Sequence, residues 1–177
     1  MLVAREQIRL LLVDDHEVVR VGLRTVLHNN QGITVVGEAG SKAGAVRAVK
    51  RLKPDIVLMD VRLPDGSGVE ATRDILAEHP TTRIIFLTSY ADDDSVLAAV
   101  LAGSHGYVIK NIDSDLLIQS IRAISNGQSI LNPALTQQAL DWIKAGTVQV
   151  QSLSPQEERV LVLVADGLAN KEIATTM

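Results

Sequence analysis

The stretch Ile8-Arg9-Leu10-Leu11-Leu12-Val13-Asp14-Asp15 is a nearly continuous apolar run that stops on two carboxylates. A short run of this kind suits a strand covered on both faces, as in a parallel sheet. Working outward, four more runs follow: Ile33-Thr34-Val35-Val36, Ile56-Val57-Leu58-Met59, Ile84-Ile85-Phe86-Leu87 and Gly106-Tyr107-Val108-Ile109. The run at Ile33 alternates more and is expected at an edge, whereas the other runs are expected to be covered on both sides. Amphipathic stretches at residues 16–29, 41–52, 67–78, 92–102 and 113–125 separate them, each long enough to return the chain parallel. The fold class is therefore α/β, a doubly wound (βα)5 arrangement with a five-stranded parallel sheet. Gly32, Gly103 and Gly127 stand where helices are expected to stop, and Pro54 and Pro80 fall in connections.

Composition narrows the function classes. With 46% hydrophobic residues in 177, the chain can bury the core of one medium domain plus a smaller piece. Lys and Arg number 17 against 21 Asp and Glu, a net charge of −4 that argues against a strongly basic protein coating nucleic acid. Cysteine is absent, which excludes disulfides, thiolate zinc sites and cysteine nucleophiles and fits the cytoplasm. The apolar runs are short and the N-terminus lacks a basic-then-apolar leader, so neither a membrane span nor secretion is indicated.

After Gly127 the alternation breaks. Asn132-Pro133 opens a helical stretch to about Ala145, with Asn as cap, Pro at the first helical position and Gly146 as stop. Residues 147–152 read as a short polar tether. Ser154-Pro155-Gln156-Glu157 is a capping box, followed by Val160, Leu161, Val164 and Leu168 at helical spacing, and Gly167 with Asn170 turns into a second helix from Lys171. The expected division is a domain over 1–126, a helical linker over 127–152 and a helical output segment over 153–177.

In an open doubly wound sheet, ligands bind beyond the carboxyl ends of the strands. Those ends carry Asp14-Asp15, Asp60, Thr88 and Lys110. Three carboxylates, a hydroxyl and an ammonium on one edge suit a hard divalent cation such as Mg2+ together with a phosphoryl group. Each residue alone has an ordinary explanation as a helix or turn cap or a solvated strand end; their coincidence on four strand ends points to a site. The segment Asp60-Val61-Arg62-Leu63-Pro64-Asp65-Gly66-Ser67-Gly68 adds a tight loop beside Asp60. Gly37-Glu38-Ala39-Gly40-Ser41-Lys42 fits neither common phosphate-loop pattern, and Gly40 is expected to end the second strand. Asp92-Asp93-Asp94 reads as a helix opening. His16 lies beside the acidic pair, but His28, His79 and His105 are in unrelated segments, so a histidine-based transition-metal site is not expected.

The stretches Leu12-Val13-Asp14-Asp15-His16-Glu17, Met59-Asp60-Val61-Arg62-Leu63-Pro64-Asp65-Gly66, Leu87-Thr88-Ser89-Tyr90 and Gly106-Tyr107-Val108-Ile109-Lys110 resemble receiver domains of bacterial two-component response regulators, over about residues 7–125. The tail from Leu153 through Ala174 resembles the opening of a LuxR-type helix-turn-helix, and the order is that of the NarL/FixJ family of transcription factors. The resemblance implies a flavodoxin-like sheet of strand order 2-1-3-4-5. It implies Asp60 as phosphoacceptor, with a sensor histidine kinase or a small donor such as acetyl phosphate supplying the phosphoryl group. Asp14, Asp15, Asp60 and the backbone carbonyl of Arg62 would hold Mg2+, Lys110 would pair with phosphoryl oxygens, and Thr88 and Tyr107 would form the switch. A homodimer and DNA binding by the full-length protein are implied as well. The chain departs from many receivers at Asn111, where a proline is common.

The reader helix of a LuxR-type domain is its third, and the sequence ends inside the second. From residue 147 the basic residues are Arg159 and Lys171 against Glu157, Glu158, Asp166 and Glu172, so residues 1–177 are not expected to bind DNA specifically. Two other readings remain open. A phosphohydrolase with an aspartyl-phosphate intermediate is disfavoured because Arg62 stands two residues after Asp60, where a second acid/base carboxylate would be needed. A pseudo-receiver, an interaction module regulated without phosphorylation, is disfavoured by the complete acidic set. The expected protein is a phosphoacceptor and not a turnover enzyme.

Overall fold

A computed structural model describes residues 7–89 and 93–131. The five apolar runs form strands β1 (Ile8–Val13), β2 (Ile33–Ala39), β3 (Ile56–Asp60), β4 (Arg83–Thr88) and β5 (Gly106–Ile109). Helices α1 (Glu17–His28), α2 (Lys42–Leu52), α3 (Gly68–Glu78), α4 (Asp93–Leu101) and α5 (Ser114–Ser125) connect and follow them. All pairings in the five-stranded sheet are parallel, in the order β2-β1-β3-β4-β5. The linker helix, the tether and the output segment expected after Leu131 lie outside the described residues.

Alternation along the strands sends successive side chains to opposite faces. Leu11, Val13, Val57, Met59, Ile84 and Phe86 pack with Ala45, Val49, Ile75 and Ala99 from α2, α3 and α4. Leu10, Leu12, Ile56, Leu58, Ile85 and Leu87 pack with Leu27 of α1 and with Leu117, Ile121 and Ile124 of α5. Both faces of β1, β3 and β4 are therefore covered, which is why their sequences are apolar at nearly every position. The run at Gly106 departs from that expectation. Among the described residues it is the second edge strand, pairing only with β4, and Ile109 is 40% exposed.

Local chemistry fixes the helix ends. The hydroxyls of Ser41 and Ser67 accept from the N–H groups of Gly44 and Glu70, and the Asp113 carboxylate accepts from Asp115, at the starts of α2, α3 and α5. Gly32, Gly103 and Gly127 take φ of +86°, +89° and +86°, the left-handed region that glycine enters without strain. α2 stops differently, on Lys53 at φ +46°, immediately before Pro54.

At the opposite end of the sheet from the strand termini discussed below, His105 joins β5 to β4. Its N–H donates to the Ile84 carbonyl (2.8 Å), and its Nδ1 accepts from the Ile84 N–H (3.2 Å). Burial, and then the Arg83 charge, lowers its pKa from 6.5 to about 4. Between those values the unfolded chain takes up a proton that the folded chain refuses, so stability falls as pH drops through this window. The parent should lose about 3 kcal/mol more than His105→Asn between pH 7 and pH 4, as measured by urea unfolding of both proteins. Parallel pH profiles would show that His105 does not titrate differently in the two states.

Candidate functional site at the strand ends

The winding direction reverses between β1 and β3, and there the carboxyl ends of neighbouring strands open a crevice. Parallel register sets Val13 beside Met59, Asp60 beside Leu87 and Thr88 beside Ile109. The residues that close these strands or directly follow them, Asp14, Asp60, Thr88 and Lys110, therefore arrive at one edge. Asp14 and Asp60 are only 2% and 6% exposed, and Thr88 is also buried.

Lys110 joins the two buried acids. Its Nζ lies 2.5 Å from Asp14 Oδ2 and 2.9 Å from Asp60 Oδ2. The second oxygens are engaged as well, Asp14 Oδ1 accepting from the His16 N–H (2.8 Å) and Asp60 Oδ1 from the Arg62 N–H (3.3 Å). Burial pushes the Asp60 carboxyl above its ordinary value, and the nearby Asp14 charge acts in the same direction, against the opposing pull of Lys110. Burial disfavours the Lys110 ammonium, but the bonds to Asp14 and Asp60 outweigh it and hold its pKa above 10.5. The lysine is thus charged at neutral pH.

Asp14, Asp15, His16 and Asp60 each offer a ligand atom within 4.8 Å of the others. Three of the four are carboxylates, the hard oxygen donors that Mg2+ and Ca2+ prefer. The donor set fits such a cation, and an ion there would relieve repulsion that the single lysine shares between two acids. His16 joins the cluster through Nδ1, 2.8 Å from Asp15 Oδ1 and 3.2 Å from Asp14 Oδ1.

The Thr88 carbonyl accepts the Lys110 N–H at 2.7 Å, so the two predicted residues are also tied through the backbone. Tyr107 is half-buried on β5, its ring 6.4 Å from that of Phe86 across the strand pair. Asn111 stands in a turn closed by the Ile112 N–H on the Ile109 carbonyl (3.0 Å), and no cis peptide bond occurs among the described residues.

The loop after Asp60 is braced in ways its sequence did not announce. Arg62–Leu63 and Gly66–Ser67 pair as a two-stranded antiparallel ribbon. The Asp65 carboxylate accepts the N–H groups of Lys42 (2.6 Å) and Ala43 (2.9 Å) at the start of α2, bonds that hold its pKa below the ordinary value. The Gly68 N–H donates to the Val61 carbonyl at 2.8 Å.

Residues 10–122 match the family described as response regulator receiver domain. The DNA-binding transcriptional activator DevR/DosR of Mycobacterium tuberculosis is 40% identical over 173 residues, covering 96% of this chain and 80% of that protein. The chain belongs to the NarL/FixJ-type response regulators. The response regulator protein VraR of Staphylococcus aureus is 35% identical over 168 residues, 95% of this chain and 80% of its own length. Among solved structures, a LuxR-family two-component response regulator from Aurantimonas sp. SI85-9A1 superposes with a TM-score of 0.68 at 38% identity, covering 77% of this chain and 97% of that one. In this response regulator the acidic crevice lies within the matched receiver domain, and the protein functions in two-component signalling. No helix among the described residues is long and apolar enough to cross a membrane.

Proposed function

We propose that this response regulator accepts a phosphoryl group on Asp60, from the phosphohistidine of a sensor histidine kinase or from acetyl phosphate, in a Mg2+-dependent step. An Asp60 carboxylate oxygen attacks phosphorus; the new P–O bond forms as the bond to the donor's nitrogen or oxygen breaks, and the leaving group takes that electron pair. Asp14, Asp15, Asp60 and the Arg62 carbonyl would hold the cation. When bound, Mg2+ supplies positive charge against the equatorial phosphoryl oxygens. The observation that carries this reading is Lys110 Nζ shared between Asp14 and Asp60 at 2.5 and 2.9 Å, a cation already aimed at the acceptor. Once Asp60 is esterified, Lys110 pairs with a phosphoryl oxygen instead, keeping a charge-assisted bond.

The switch follows from what the new oxygens offer. Thr88, at the end of β4, donates its hydroxyl to one of them, and Tyr107 turns inward behind it. A local charge change thereby biases the surface formed by α4, β5 and α5, which governs homodimerisation. Receiver 1–126, linker 127–152 and LuxR-type output segment 153–177 form the division through which this bias reaches DNA. The protein works in the cytoplasm as a phosphoacceptor rather than as an enzyme of multiple turnover.

Incubation with acetyl phosphate and Mg2+ followed by intact mass measurement tests the reading. One phosphoryl increment is expected in the parent and none in Asp60→Asn or in excess chelator. A parent that gains no phosphoryl from acetyl phosphate or from a phosphorylated kinase would instead make the domain a module regulated without phosphorylation.

A further inference from the structure

We propose that Arg20 is a positioning residue for the cation-holding turn, acting through the backbone of Asp14; the inference rests on the cation site assigned above. Arg20 lies one turn into α1, and its guanidinium is mostly buried. Its Nη1 donates to the Asp14 carbonyl at 2.6 Å, and its Nε donates to Glu38 Oε2 on β2 at 3.1 Å. The other Glu38 oxygen takes Arg24 Nη1 at 2.6 Å, so one carboxylate is braced by two arginines spaced four apart on the same helix.

The target of this clamp is specific. The Asp14 N–H is bonded to the Ala39 carbonyl (3.0 Å), and its carboxylate is bonded to Lys110 and to the His16 N–H. The carbonyl is the remaining polar group of Asp14, and it belongs to the peptide unit that leads into Asp15. Fixing that plane sets where the Cα of Asp15 stands relative to Asp14; Asp15 is exposed and outside any helix or strand, and its carboxylate otherwise meets His16 Nδ1 at 2.8 Å. A rigid planar fork anchored at one end on Glu38 does this at less entropic cost than a flexible ammonium would. Groups that orient ligands from outside the ligand set typically change metal affinity 10- to 100-fold.

The test is Mg2+ titration by calorimetry, with Mn2+ as a paramagnetic check, on the parent, Arg20→Gln, Arg20→Lys, Glu38→Gln and Asp15→Asn. Arg20→Gln should weaken Mg2+ binding about 10-fold. It should raise the Mg2+ concentration for half-maximal phosphorylation by acetyl phosphate by the same factor, with the maximal rate within about twofold of the parent. Arg20→Lys and Glu38→Gln, each keeping part of the clamp, should fall between, and they carry the test if Arg20→Gln does not fold. Folded variants with the parent's affinity, or a lowered maximal rate at unchanged half-saturation, would overturn the role of Arg20 alone. Asp15→Asn binding Mg2+ as tightly as the parent would remove the cation site, and this proposal with it.

Discussion

Lys110→Met should lose about 3 kcal/mol of stability at pH 7 in Mg2+-free buffer, read from urea unfolding. The substitution keeps most of the side-chain volume but removes the ammonium that Asp14 and Asp60 share, leaving two buried carboxylates facing each other. Breaking one side of a buried pair is costlier than the pair itself is favourable, because the remaining charge stays desolvated. The sign of the pH dependence follows from the shifts. The Lys110 pKa is raised in the fold, so its contribution is fully present below its ordinary value near 10.5 and disappears only as pH rises through the raised one. At pH 7 the comparison therefore captures all of it. The Asp60 carboxyl is already lifted by burial, and it takes up a proton more readily still without the lysine, so the deficit of the variant should shrink as pH falls toward 4. Millimolar Mg2+ should restore the variant more than it stabilises the parent. Equal stabilities at pH 7 without Mg2+ would mean that the crevice does not depend on this cation.

Gly68→Ala should be at least as damaging. A β-carbon at this position would lie 2.0 Å from the Asp60 carbonyl oxygen, 3.0 Å from its carbonyl carbon and 2.9 Å from Met59 Cγ. Two of these three atoms are backbone, so no rotamer change relieves the overlap and α3 must move away from β3. The expected loss is about 3 kcal/mol. Phosphoryl acceptance should fall with it, because the displaced peptide is that of the acceptor. Gly22→Ala is the control. Gly22 is exposed in the middle of α1, and among the described residues nothing lies within 4 Å of an added β-carbon, so alanine there should gain about 0.5–1 kcal/mol. Similar stabilities for the two alanine variants would refute the close approach of α3 to Asp60.

Much of this was legible in the chain because burial writes a periodic signal. The five strands were readable as apolar runs, and once the sheet was parallel the residue at each carboxyl end had to reach the crevice, which placed Asp14, Asp60, Thr88 and Lys110 without coordinates. What stayed hidden is polar and distant in sequence. Asp65 caps α2 from 23 residues away, and Arg20 meets Glu38 across 18; neither pairing leaves a period or a spacing to find. The edge position of β5 was hidden for a different reason. Val108 is buried and Ile109 is not, yet both are β-branched and apolar, so the run looks covered on both sides. The end of α2 on Lys53 in the left-handed region is equally unmarked, because a lysine carries no sign of the conformation that a glycine would announce.

The central claim is that Asp60, and no other carboxylate of the crevice, becomes the acyl phosphate. Borohydride reduction of the protein after treatment with acetyl phosphate and Mg2+ converts an aspartyl phosphate to homoserine, which peptide mass mapping locates. Homoserine at position 60, absent without the donor, is the result predicted. Homoserine at 14 or 15 instead, or a phosphorylated protein with an unreduced aspartate at 60, would contradict the account.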